Sequence, residues 1–127
     1  MFRVEELQFS KDHIWLKKID SNSYYLGITD FAQDLLGDII FTDLPTNKEV
    51  AFGEPLGIIE SVKTSSDIIS PTSAMVVEIN PILNNNLNQI NDKPYETWIC
   101  KITTKQEKDI SNLLDHNRYK ELIKNEN

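Results

Sequence analysis

Ile58-Ile59-Glu60-Ser61-Val62-Lys63-Thr64-Ser65-Ser66-Asp67-Ile68-Ile69-Ser70 is the stretch on which the fold turns. Isoleucine pairs at 58–59 and 68–69 flank a short polar segment with Lys63 at its middle. β-Branched runs joined by Ser, Thr and Asp predict a β-hairpin. A lysine at its tip directs a four-carbon stem into water, and its amine is a strong nucleophile once deprotonated. An enzyme that attaches a group to lysine requires that presentation: an exposed amine on a rigid corner. Taken alone, the window is read more simply as a surface hairpin with a solvated lysine.

Outward from the hairpin the chain reads as short strands between turn residues. His13 to Lys17 predicts a strand with Ile14 and Leu16 on one face and Trp15 on the other, paired with Ser23 to Ile28 across the turn Asp20-Ser21-Asn22. Thr29 is placed as a helix N-cap, with Asp30 in the first turn and Gly37 ending the helix in a left-handed conformation. Ile39 to Phe41 returns to strand, and Met75 to Ile79 predicts another with Val77 and Ile79 on one side. Pro81 to Asn91, with its clustered asparagines, reads as a short helix in a surface loop, and Trp98 to Ile102 as the last strand. Ile110, Leu113, Leu114, Tyr119, Leu122 and Ile123 give the i, i+3, i+4 pattern of a C-terminal helical segment. The expected architecture is mostly β: a flattened β-barrel or sandwich over 1–127 as one domain. A short helix is expected near residues 29–36, with helix near 109–124 inside a C-terminal segment 105–127.

Composition narrows the function. A chain of 127 residues, 39% hydrophobic and 26% charged, can bury a modest core. Its net charge of −7 argues against nucleic acid, which demands a basic face, and suits docking onto basic partner surfaces. No apolar run approaches a membrane span, so no membrane partner is expected, and Met1-Phe2-Arg3-Val4-Glu5-Glu6 has neither signal nor transit character. The lone Cys100 fits a reducing compartment, and the expected location is cytoplasmic. Catalytic equipment is sparse. His13 and His116 stand apart with no metal-ligand spacing and read as surface or strand-end histidines; Asp30 and Asp34 read as a solvated helix face; Cys100 reads as a small buried apolar residue. No catalytic residue and no metal site is expected, and the chain does not read as an enzyme.

Several blocks in order give the sequence a family likeness. Glu60-Ser61-Val62-Lys63 with Ser66-Asp67 is similar to the lipoyl-attachment segment of the glycine cleavage system H protein family. Gly27-Ile28-Thr29, Ala32-Gln33, Leu36-Gly37-Asp38-Ile39 and Phe41 resemble a second block. Ser70-Pro71, Ser73, Val76 to Asn80, Ile90-Asn91, Pro94-Tyr95 and Trp98 resemble the downstream part, and Ser10 to His13 with Trp15 the start. The resemblance implies the lipoyl- and biotinyl-carrier fold, with lipoic acid joined in amide linkage to Lys63 by a lipoate ligase or octanoyltransferase. It implies a non-catalytic carrier whose arm receives an aminomethyl group at glycine decarboxylase (the P protein) and passes it to aminomethyltransferase (the T protein). Dihydrolipoyl dehydrogenase (the L protein) then reoxidises the arm by thiol–disulfide chemistry. Glu60, Ser61, Val62 and Asp67 are implied as recognition or support residues, and the loaded arm is expected to fold into a cleft on the carrier.

The likeness breaks at identifiable places. Where the family has His-Glu-Trp, with the acid helping to hold the aminomethyl amine, this chain has His13-Ile14-Trp15. Asp12, His13 and Asp67 remain as candidates to hold the intermediate, although a strand neighbour of Ile14 is expected to face the opposite way. The family's glycine after Ser73 is Ala74, at a turn where positive φ is in question. Three other readings compete with glycine cleavage. One is a lipoyl or octanoyl relay that donates the cofactor to 2-oxoacid dehydrogenases, favoured by Ile14. Another is a biotin carrier, disfavoured because Val62 and Thr64 replace methionines beside the lysine. The third is an interaction module with Lys63 unmodified.

Overall fold

A computed structural model describes residues 3–126 of the chain; Met1, Phe2 and Asn127, which belong to the expected domain bounds, lie outside the described residues. The elements run β1 (Gln8–Phe9), β2 (Ile14–Lys18), β3 (Ser23–Ile28), α1 (Asp30–Leu36), β4 (Ile39–Asp43), β5 (Lys48–Val50), β6 (Pro55–Ser61), β7 (Ser65–Ile69), β8 (Ala74–Ile79), α2 (Asn88–Asp92), β9 (Cys100–Thr104), α3 (Glu107–Ser111) and α4 (His116–Lys124). Two antiparallel sheets form: six strands in the order β1-β2-β3-β9-β8-β5, and three in the order β4-β6-β7. They face one another as a flattened sandwich and do not close into a barrel, so the barrel half of the expectation falls away.

Alternation along β2 explains why two apolar clusters exist. Ile14 and Leu16 enter the core between the sheets with Leu26, Ile59, Ile68 and Ile102. Trp15, on the other face, joins Leu7, Phe9 and Tyr119 in a second cluster under α4. Gly27 stands opposite Trp15, and a β-carbon there would come within 2.3 Å of the indole. Only glycine lets the ring lie flat across the strand. Cys100 is fully buried in β9 among the core side chains.

The structure departs from the sequence-based expectation at five places, each for a local reason. Val77 does not share a core face with Ile79. A register shift between Val76 and Glu78 swaps the alternation, so Val76 is buried and Val77 only half-buried. Pro81 to Asn91 is largely exposed and carries the expected short helix, α2, but it is anchored more firmly than a loop: a 3-10 turn at Pro81–Asn84 and α2 insert Leu83 and Ile90 into the core. Trp98 precedes the last strand, which starts at Cys100. The C-terminal helical segment is two helices, because Leu114 pairs with Phe9 in extended form and Asp115 then caps α4 by accepting from Arg118 N. Ala74 opens β8 without positive φ; among the described residues, the non-glycine ones that adopt it are His13 and Asn47. The strands β1 and β5 are too short to show in the sequence pattern.

Candidate functional site

Lys63 lies at the tip of the β6–β7 hairpin and is exposed. The connection is short, and two-residue hairpin loops ordinarily require positive φ. Neither Val62 nor Lys63 adopts it. Ser61 resolves the conflict. Its backbone N–H donates to Thr64 O at 2.8 Å, and its hydroxyl accepts from both Lys63 N and Thr64 N at 3.1 Å. The same hydroxyl donates to Thr64 O at 3.2 Å. Val62 N–H donates to Asp38 O at 3.0 Å, fastening the turn to the segment after α1. Ser61 is 7% exposed, so what the structure gives it is support of the turn.

The α1 segment is shaped to lie beside this tip. Thr29 Oγ1 accepts from Ala32 N at 3.1 Å, the expected N-cap, and the helix stops at Gly37. Gly37 has φ 81° and ψ −163°, so its φ is positive as expected, but its ψ lies outside the left-handed helical region. A β-carbon at Gly37 would stand 3.0 Å from Lys63 Cε. The lysine stem therefore rests along the α1 terminus, a correction to the expectation that it projects straight into water. Asn91 braces the same corner from α2. Its carboxamide accepts from Ile39 N at 3.0 Å and donates to Gly37 O at 2.9 Å and Gln33 Oε1 at 3.1 Å.

A cavity of about 250 Å³ opens beside the hairpin, between β7, α1 and the start of β2. Ile14, Ile28, Leu36, Ile59 and Ile68 give it apolar walls, and Asp12, His13, Thr64, Ser66 and Asp67 give it polar ones. Asp12, His13 and Asp67 thus border one space. The expectation that the strand neighbour of Ile14 faces the opposite way fails at His13, which lines the same cavity, for a definite reason. Ser10 Oγ accepts from Asp12 N at 3.3 Å and Ile14 N at 3.2 Å, curling the chain into a turn, and His13 has φ 67°. Strand alternation does not operate there. Glu60 is absent from this cavity. Register sets Ser65 opposite Glu60 and Asp67 opposite Ile58, so the two carboxylates lie diagonally on one face of the hairpin.

His13 is less peripheral than a surface histidine. Its Nδ1 is 2.8 Å from Tyr119 Oη, which is 2.7 Å from Thr29 Oγ1, and its Nε2 is 3.1 Å from Glu126. Burial pushes the Tyr119 phenol above its ordinary range, while the Thr29 hydrogen bond acts the other way. The chain of bonds ties α4 to the cavity wall and the α1 cap. Tyr119 and Asn91 escaped the sequence reading as site residues, because each works through a partner distant in sequence. The hydroxyl of Ser61 escaped it as a turn-former, because its bonding depends on φ. Among the described residues no cluster of His, Cys, Asp and Glu can hold a metal ion, and no helix is long and apolar enough to cross a membrane.

An exposed amine on a braced hairpin, beside a part-apolar cavity and on a two-sheet body, is the arrangement that a tethered-arm carrier requires. The particular family follows from comparison. Residues 7–126 match the family model described as glycine cleavage H-protein. The glycine cleavage system H protein of Coxiella burnetii is 43% identical over 123 residues, 95% of each chain. That of Coprothermobacter proteolyticus is 45% identical over 122 residues, covering 94% of this chain and 96% of the relative. The crystal structure of a glycine cleavage system H protein from Mycobacterium marinum superposes with a TM-score of 0.79 at 30% identity, over 91% of this chain and 94% of that one. The chain belongs to the glycine cleavage H-protein family.

Proposed function

We propose that this chain is the lipoyl carrier of the glycine cleavage system, shuttling the aminomethyl group from glycine decarboxylase to aminomethyltransferase on a lipoyl-lysine arm at Lys63. Lys63 on its exposed, hydrogen-bonded turn is the observation that carries this reading. The cavity fits the group: its apolar walls at Ile14, Ile28, Ile59 and Ile68 suit a dithiolane ring and its hydrocarbon chain. Lipoic acid, when bound, supplies a disulfide that is reduced as it accepts the one-carbon unit. The protein's own residues bind and shield. Ser61 holds the attachment point, Asp67 and Asp12 offer carboxylates to an ammonium in the cavity, and the apolar walls exclude water. His13 positions the rim through Tyr119. Dihydrolipoyl dehydrogenase reoxidises the arm, a lipoate ligase or octanoyltransferase attaches it, and the carrier performs no bond-breaking chemistry itself. The working compartment in this reading is the cytoplasm.

One observation favours a second reading. Ile14, 3% exposed in the cavity wall, occupies the position at which the family resemblance puts a carboxylate. That apolar wall also suits a carrier that only relays a lipoyl or octanoyl group to 2-oxoacid dehydrogenases. Intact mass after incubation with a lipoate ligase, ATP and lipoate tests the common part: the native chain gains one lipoyl increment and Lys63→Arg none. Glycine–bicarbonate exchange with glycine decarboxylase then separates the readings. Normal exchange by the lipoylated chain excludes a relay-only role, and absent exchange excludes glycine cleavage.

A further inference from the structure

We propose that Leu35, Ile40, Phe41 and Val62 form the docking surface for the enzyme that acylates Lys63, and that this enzyme brings an apolar pocket with a basic rim. The inference rests on the acylation of Lys63. These four are 59%, 56%, 47% and 64% exposed, and they are four of the seven large exposed hydrophobic side chains among the described residues. The fold sets them on the elements that meet at the hairpin tip. Leu35 is exposed on α1 two residues before the Gly37 corner on which the lysine stem rests, where it also borders the cavity. Val62 adjoins Lys63 and is fastened to Asp38. In β4 the register slips between Ile39 and Phe41, so Ile39 pairs with Ser61 and Phe41 with Glu60. A regular strand sends alternate residues outward; this bulge leaves two consecutive large apolar side chains, Ile40 and Phe41, facing solvent.

The reach of the lysine selects the occupant. Before acylation the amine extends no farther than its own four-carbon stem, so the acylating active site must close directly over the residues around the tip. Enzymes that act later meet a much longer arm and need no such contact. Charge agrees. Asp34, Asp38 and Asp43 are exposed around the patch, with Glu60 beside Phe41, which calls for a partner with basic residues at its rim. The docked enzyme takes the proton from the Lys63 ammonium. Nζ then attacks the carbonyl of lipoyl-adenylate; the amide C–N bond forms, the C–O bond to phosphate breaks, AMP leaves, and the second amine proton is lost.

The test is acylation of the purified chain by a lipoate–protein ligase with ATP and lipoate, followed by intact mass. Ile40→Ser/Phe41→Ser is expected to raise KM for the carrier roughly tenfold with kcat within about twofold, the signature of lost docking. Val62→Ser, on the turn, should act the same way and covers the case in which the double variant fails to fold. Phe52→Ser, 59% exposed beyond the opposite end of β6, should leave KM unchanged. Rising salt should raise KM for the native chain. Unchanged KM in folded Ile40→Ser/Phe41→Ser and in Val62→Ser overturns the proposal while acylation stands. No mass gain by the native chain overturns acylation and the proposal together. A dimer of the native chain that the double variant dissolves, with KM unaltered, assigns the face to a second copy and also overturns it.

Discussion

The Ser61 hydroxyl serves two amide hydrogens and one carbonyl of the turn at once, and this fixes what the residue can be exchanged for. Ser61→Ala leaves the Lys63 and Thr64 N–H groups without that partner in a partly buried corner. The expected loss is about 2 kcal/mol in urea unfolding, with Ser61→Thr restoring part of it. Gly37 sets a second limit. Its φ of 81° is one that L side chains rarely adopt, and a β-carbon would press on Lys63 Cε at 3.0 Å. Gly37→Ala is expected to cost roughly 1–3 kcal/mol by the same assay and to displace the Lys63 methylenes, seen as shifted Cδ and Cε resonances. Lys63 and its neighbours were legible in the sequence because a β-branched hairpin with a polar tip is a local signal. The stem's rest against Gly37 was not, because it joins residues from separate elements.

At the scale of elements, Asn91 is the joint. From α2 it accepts from the first amide of β4 and donates to the carbonyl of Gly37 and the side chain of Gln33, so one carboxamide aligns α1, β4 and α2. Asn91→Ala is expected to cost about 2 kcal/mol, and the freed Ile39 amide should exchange faster with deuterium than that of Ile59 in the core. Asn91→Asp keeps the acceptor but turns a donor pair into a repelled carboxylate and should be no better. The sequence pattern gave β2, β3, β6 and α1 clearly, since each has long enough alternation or a cap. It could not give the bulges in β4 and β8, which depend on how a neighbouring strand registers, nor the break at Leu114 and Asp115, where pairing with Phe9 overrides helical spacing. The cavity wall at His13 is illegible for a similar reason: a side-chain hydroxyl at Ser10 curls the chain into a turn where periodicity implies strand.

Across the whole molecule, two groups inside the sandwich hold protons that the unfolded chain gives up. Burial pushes the Cys100 thiol from 9.0 up to about 12, and burial together with the Glu107 carboxylate pushes the Tyr24 phenol from 10.0 up to about 12. Both folded values lie above the unfolded ones, so above about pH 9 the unfolded state binds fewer protons than the native state. Stability is therefore full below about pH 9 and declines as pH rises toward about 12. The melting temperature should be insensitive to these two groups near neutrality and fall through that window, and Cys100→Ala should move the onset up toward the phenol range near 10.0. The thiol should resist disulfide reagents at neutral pH until the chain unfolds. Far from that interior, the amides on either side of Lys63 are both tied down, one to Asp38 and one to Ser61. Mobility at the site thus begins beyond the α-carbon. In the proposed carrier role, cargo that has left the cavity would sweep a dome about this stationary centre, its radius bounded by covalent length. Its meetings with a neighbouring enzyme would then be governed by departure from the cavity and by concentration within that dome.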